Sequence, residues 1–143
     1  MSETEEFLAA VLPDYVAAET ALHNGDVEPR LRMWSRTDPL TLFGAARTGQ
    51  GWDELHATFQ WLESTFSDCI SYEHEVVAAG ASGNLAYLVA LEHNTTSVDG
   101  VQRTYTLRAT TVFRREAGEW KIVHRHGDPY VGNRELADAV ANN

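Results

Sequence analysis

Apolar side chains recur at helical spacing from the start of the chain: Phe7, Leu8, Val11, Leu12, Tyr15, Ala18 and Leu22. Ser2 and Glu5 ahead of them read as a capping box, and HNGD after them offers Gly25 for a left-handed stop. A short helical piece is predicted near Pro29–Trp34. The stretch DPLTLFGA (Asp38–Ala45) is apolar, β-prone and bounded by turn residues, so it predicts a strand. ARTGQG reads as a turn. Trp52, Leu55, His56, Phe59, Leu62 and Phe66 trace a second amphipathic helix. From Ile70 the period changes to two, and Ser71–Ala79, Leu85–Ser97, Thr104–Arg115 and Glu119–Gly127 predict four long strands. The breaks AGASGN, VDGVQ and EAG are hairpin-like. NRELADAVANN predicts a closing short helix capped by Asn133. Helices first, then an antiparallel meander, is an α+β layout with helices on one face of a curved sheet. One domain over residues 1–143 is expected, with its core at about 5–131 and a tail at 132–143.

The short EAG turn suggests a register. With Arg115 opposite Glu119, Val112 faces Ile122, Thr110 faces His124 and Arg108 faces His126. Trp120, Ile122 and Val112 are apolar, so this face is expected to meet the helices. Arg108, Thr110, His124 and His126 then lie inward with them. Carried across VDGVQ, the same reading sets Glu92 opposite Arg108 and Ala90 opposite Thr110. Ala86 and Ala90 leave room, and polar groups turned inward need partners or water. A pocket meets both conditions.

Composition narrows the function. The formal charge of −10 opposes nucleic acid and anionic membrane surfaces, which need a basic face. No apolar run is long enough to span a membrane. The acidic N-terminus lacks the basic start of a secretion signal. Cys69 is the only cysteine, which excludes an intrachain disulfide and suits a cytoplasmic protein.

The strand WKIVHRHGDPY sets His124, His126 and Asp128 at two-residue spacing, on one face of a strand. Such a set can ligate zinc or iron. Arg108 opposite His126 opposes a second cation, so no metal and no cofactor are expected. Acid/base chemistry fits better: His124 or His126 as base, Arg108 and Thr110 as polarising groups, Asp128 beside them. These residues can equally satisfy one another as the polar end of a sheet. Trp34, Phe43, Trp52, Phe59 and Trp61 offer an aromatic wall, as core or as lining for a flat apolar ligand. Tyr15, His56, Trp120 and Glu92 are further lining candidates. The parity of His74 with Tyr72 can turn it inward, whereas His23 and His93 read as surface positions.

The pattern TLRATTVFRREAGEWKIVHRHGDPY, with Arg108, Thr110, Val112, Trp120, Ile122, His124 and His126 in order, resembles the SnoaL-like and ketosteroid-isomerase-like branch of the nuclear-transport-factor-2-like superfamily. The GDVE turn, the strand ending in FGA and SGNLAYLVALEH are similar as well. The resemblance implies a cone: a strongly bent sheet wrapped around a long helix, with an open pocket for a small organic molecule. It also implies cofactor-independent isomerase, cyclase or dehydratase chemistry, and often dimers through the sheet. Leu40–Gly44 carries no carboxylate where ketosteroid isomerases place their base, and the Asp-Arg-Asp set of the epoxide hydrolases has no complete match. Asp128 lies in the region where SnoaL cyclases use an acidic residue. Two readings stay open. One is a pocket protein acting on a small, largely apolar molecule. The other is a non-catalytic binding or association module that dimerises through an outer sheet face, with Tyr105, Leu107 and Phe113 as contacts.

Overall fold

The computed structural model describes residues 1–130, so the helix expected over residues 133–143 lies outside the described part. Helix α1 (Glu3–Leu22) begins at Ser2, whose hydroxyl accepts the Glu5 N–H at 3.1 Å. It ends before Gly25, which takes the left-handed conformation at φ 84°. Helix α2 (Glu28–Met33) follows, then strands β1 (Thr41–Phe43) and β2 (Thr48–Gln50). Helix α3 (Trp52–Thr65) leads into the four long strands β3 (Phe66–Ser82), β4 (Leu85–Val98), β5 (Val101–Glu116) and β6 (Glu119–Pro129).

The stretch expected to be only a turn contains β2. The turn itself is tighter, closed by the Gly44 N–H on the Arg47 carbonyl at 2.8 Å, and the chain returns at once to pair with β1. All six strands form one sheet in the order β2-β1-β6-β5-β4-β3, with β1 parallel to β6 and the other pairs antiparallel.

The sheet curls around α1. Along β4 the alternation is strict, and Ala86, Leu88, Ala90, Glu92, Asn94 and Thr96 are all buried. On β5 the buried set is Ala109, Thr111 and Phe113. Phe7 of α1 meets the edge of Phe113 at 5.1 Å and of Trp120 at 5.2 Å, which ties the helix to the β5–β6 hairpin. Ile122, Leu40, Leu55 and Trp34 belong to the same core. No described helix is long and apolar enough to cross a membrane.

The expected register does not hold, for two local reasons. The hairpin tip is a two-residue turn, Ala117–Gly118, with both residues at positive φ, so Glu116 pairs with Glu119 and Phe113 with Ile122. A bulge then sits at Val123: Ile122 faces Phe113, and the next pair is His124 with Val112. The extra residue inverts the numbering parity of the rest of β6. Arg125 and Gly127 are buried, while His126 is exposed. Across the β4–β5 hairpin, Glu92 faces Leu107 and Arg108 faces Leu91, one position away from the expected pairing.

A deletion pair tests this account. Removing Val123 takes out only the bulged residue and leaves Ile122 and Arg125 on the inner face, so a cooperatively folding protein is expected. Removing Thr110 from the regular part of β5 sets the buried Ala109 and Thr111 on opposite faces, and cooperative unfolding should be lost. Urea unfolding of both variants checks this, and the reverse order of tolerance would contradict the bulge assignment.

Candidate functional site

Three residues at four-residue spacing, Tyr15, Glu19 and His23, form a polar stripe down the inner side of α1 and are buried. The sheet meets this stripe with Glu92 of β4, Thr111 of β5 and Arg125 of β6. Arg125 forks onto Glu92, with Nη2 donating to Oε1 at 2.5 Å and Nη1 to Oε2 at 3.1 Å. Nη1 also donates to the Tyr15 oxygen at 2.5 Å, and the Tyr15 hydroxyl donates to Glu92 Oε2 at 2.8 Å. Thr111 Oγ1 lies 3.3 Å from the same hydroxyl. Glu92 is 0 % exposed, so its charge depends wholly on these partners. Burial acts to raise its pKa, but the Arg125 charge and hydrogen bonds, with help from Arg30 and Tyr15, hold the carboxyl well below the usual range. Burial pushes the Tyr15 hydroxyl up, so it stays a donor.

A second buried ion pair lies alongside. Arg30 of α2 pairs through Nη2 with Glu19, and its guanidinium sits over the Tyr15 ring at 5.0 Å from the centroid. His23 follows one turn after Glu19. Its Nδ1 is 2.7 Å from the Glu19 carbonyl, which only accepts, so Nδ1 carries the hydrogen. Nε2 therefore keeps its lone pair and accepts from the Tyr105 hydroxyl at 3.2 Å. Burial pulls the His23 pKa down to about 4, and the ring is neutral at neutral pH. His23 stacks on Tyr72 at 5.8 Å, Tyr72 on His74 at 6.2 Å, and His74 meets Tyr15 at 5.0 Å. Burial lowers the His74 pKa although Glu92 acts against it, with His74 Nε2 4.0 Å from Glu92 Oε2.

Part of this set borders a cavity of about 290 Å³ between the sheet, α1 and α3. Its apolar wall includes Leu22, Leu42, Phe59, Leu62, Phe66 and Leu107, and its polar wall Glu19, His23, Arg30, Tyr105 and Arg125. The lining reaches solvent at Ala45, Ala46 and Arg47, and Arg47 stacks over Trp61 at 4.0 Å. A larger groove of about 630 Å³ runs between α1, α2 and the β5–β6 tip, but it is bordered by Asp14, Arg32, Glu119 and Lys121 and resembles ordinary charged surface.

The residues singled out from sequence divide between the two faces. Tyr15 and Glu92 belong to the buried network, and Phe59 lines the cavity. Trp34 is core, packed on Phe59 at 5.9 Å, and Trp120 packs on Phe7. Trp52 and His56 stack on each other at 5.6 Å and do not line the cavity. Phe43 is exposed and presents its edge to His124 and His126. Arg108, Thr110, His126 and Asp128 do come together, but in a depression of about 240 Å³ on the outer face, where the bulge and the shifted hairpins put them. Arg108 is paired there with Asp128 at 2.9 and 2.7 Å, not with His126, and His124 Nδ1 is 2.7 Å from the Thr41 hydroxyl. Among the described residues, no three His, Cys, Asp or Glu side chains are placed to hold a metal ion.

His23, expected at the surface, is buried. Arg125, Arg30, Glu19, Tyr105 and Tyr72 were not singled out as site residues. The readable signal for part of this set was the spacing of Tyr15, Glu19 and His23. Tyr105 and Leu107, expected as outer-face contacts, line the cavity, and Phe113 is core.

The SnoaL-like domain model matches residues 10–131. No curated protein sequence matches the chain. A nuclear-transport-factor-2-like protein of unknown function from Pseudomonas putida superposes with a TM-score of 0.76 at 17% identity, covering 94% of this chain and 94% of that one. A ketosteroid isomerase-like protein from Erwinia carotovora atroseptica gives 0.70 at 24% identity, over 89% of this chain and 98% of its own. A Caulobacter vibrioides protein with a cystatin-like fold gives 0.68 at 19% identity, over 99% and 100%. At these identities the likeness is one of fold.

The buried neutral histidines set a sign for pH dependence. Unfolded, His23 titrates near 6.5; folded, at about 4. Its contribution is therefore whole above pH about 6.5 and is lost as pH falls toward 4, because the unfolded chain binds the proton first. For one such group the loss between pH 7 and 5 is about 2 kcal/mol. Glu92 adds its own loss only below its unfolded value of about 4.5. Urea unfolding of the wild type should show the drop in that window, and His23→Gln should make it smaller, leaving the share of His74. An unchanged slope in the variant would contradict a buried, neutral His23.

Proposed function

The chain belongs to the SnoaL-like domain family, and from that premise we propose that it binds a small, largely apolar organic molecule in the 290 Å³ cavity. The observation that carries this reading is the division of the cavity wall. Leu42, Phe59, Leu62 and Leu107 suit an apolar body, while His23, Tyr105, Arg30 and Arg125 converge as the few polar groups that fix a ligand's orientation. The same wall suits cofactor-independent proton transfer of the isomerisation, cyclisation or dehydration type. The lone pair on His23 Nε2, which accepts from the Tyr105 hydroxyl in the free protein, is the base once that hydroxyl turns to an oxygen of the bound molecule, in place of the outer His124 and His126. The Tyr105 hydroxyl and the Arg125 guanidinium are at hand to hold developing negative charge.

A second property is supported by a separate observation. The outer face of β3 and β4 exposes Val77, Leu85 and Tyr87 beside the half-buried Val89 and Leu91. Such a row on a monomer marks an association surface. We place the homodimer contact on these residues, since Tyr105, Leu107 and Phe113 face inward.

Two measurements follow. Leu107→Trp fills the cavity while leaving every ion-pair residue in the sequence. Tetralin, a two-ring hydrocarbon, should bind the wild type and lose at least about tenfold in affinity to this variant, read by NMR titration alongside an intact thermal unfolding transition. Equal binding by both proteins would rule the cavity out as the site. In sedimentation, the wild type should run as a dimer at micromolar concentration and Tyr87→Glu as a monomer. A wild-type monomer at that concentration would remove the association surface.

A further inference from the structure

Arg30 is unusual among the cavity residues. It is 1% exposed, and its Nη2 pairs with Glu19. Its Nε and Nη1 meet no acceptor among the described residues. Donors on a charged group, buried and unmatched, are costly, and protein interiors rarely carry them without a use. The side chain forms part of the cavity wall.

We propose that Arg30 anchors the bound molecule by donating to a single uncharged oxygen acceptor on it, such as a ketone or amide carbonyl. This rests on the cavity being the binding site. Charge balance selects a neutral acceptor over a carboxylate. In the interior Arg30 with Glu19 and Arg125 with Glu92 already cancel, and Arg47, the remaining cation of the lining, stands at the exposed mouth, so a carboxylate beside Arg30 would bring an uncompensated anion into a space shared with Glu19.

The test uses three probes with the same two-ring body: tetralin, tetralone and tetralin carboxylate. They are titrated by calorimetry and NMR into the wild type and into the double variant Glu19→Gln/Arg30→Gln. The double change removes both charges together, so neither is left buried alone, and the Leu107→Trp variant reports whether a probe occupies the cavity. A hydrogen bond from a charged donor predicts tetralone binding about 10- to 100-fold tighter than tetralin to the wild type. It also predicts that this preference disappears in the double variant while tetralin affinity stays within about threefold. Equal binding of tetralone and tetralin would overturn the anchor while leaving the cavity reading intact. A tetralone preference that survives in the double variant would assign it to another residue and overturn the role of Arg30. Tighter binding of the carboxylate than of the ketone would overturn the neutral head group. Failure of all three probes to bind the wild type would remove the cavity reading itself, and the anchor with it.

Discussion

The ion pair between Glu92 and Arg125 is the constraint around which the interior is arranged. Glu92 is completely buried, and taking a carboxylate out of water costs several kcal/mol unless its partners are well placed. The partners come from three separate elements: Arg125 from β6, Tyr15 from α1 and, more distantly, Arg30 from α2. Each is usable only if the sheet curls far enough to bring β6 and β4 together around α1. The bulge at Val123 is part of the same requirement, since it turns Arg125 inward. Buried pairs of this kind add little net stability over well-packed apolar residues, yet they penalise any arrangement that leaves one partner alone. Such a cluster selects one register of β6 and one seating of α1.

That selection has a consequence for the cavity. An interior filled by Leu and Phe would close on itself. Here a network of five polar side chains, Tyr15, Glu19, Arg30, Glu92 and Arg125, holds its members in mutually fixed positions, and the apolar residues beyond them border a space instead of collapsing into it. His23 extends the network along the helix. Its tautomer is set by the Glu19 carbonyl, so its unprotonated nitrogen is turned to Tyr105 and the cavity wall. The outer face carries a different chemistry: a solvent-exposed Arg108–Asp128 pair, whose screened charges contribute little, beside an apolar row.

Much of the fold was readable along the chain. The helical stripe from Phe7 to Leu22, the Ser2 half of the capping box and the period of two from Ile70 all correspond to elements of the molecule, as does the inward turn of Ala86, Ala90 and Glu92 on the regular strand β4. Tyr15 was readable as an inward donor, although its hydroxyl serves Glu92 and does not line the cavity, and His74 as an inward residue. The site on β6 was not, because alternation carries no mark of a bulge. From Ile122 onward a strict count selects His124, His126 and Asp128, whereas one extra residue selects Arg125 and Gly127. The two-residue tip at Ala117–Gly118 moved the pairing by a further position. His23 sits in HNGD, whose polar composition suggests surface. Only its helical spacing from Tyr15 and Glu19 reveals that it continues a buried stripe. Arg30 lies in a six-residue helix too short to show a periodicity of its own.

The central claim is that Glu92 and Arg125 act as one unit. A double-mutant cycle measures this directly, using urea unfolding at neutral pH of the wild type, Glu92→Gln, Arg125→Gln and the double variant. Each single change is expected to cost about 3–5 kcal/mol, because it leaves the opposite charge buried without its partner. The double variant should be less destabilised than the two losses added together, with a coupling energy of about 2–3 kcal/mol. Additive losses, with a coupling energy near zero, would contradict the claim.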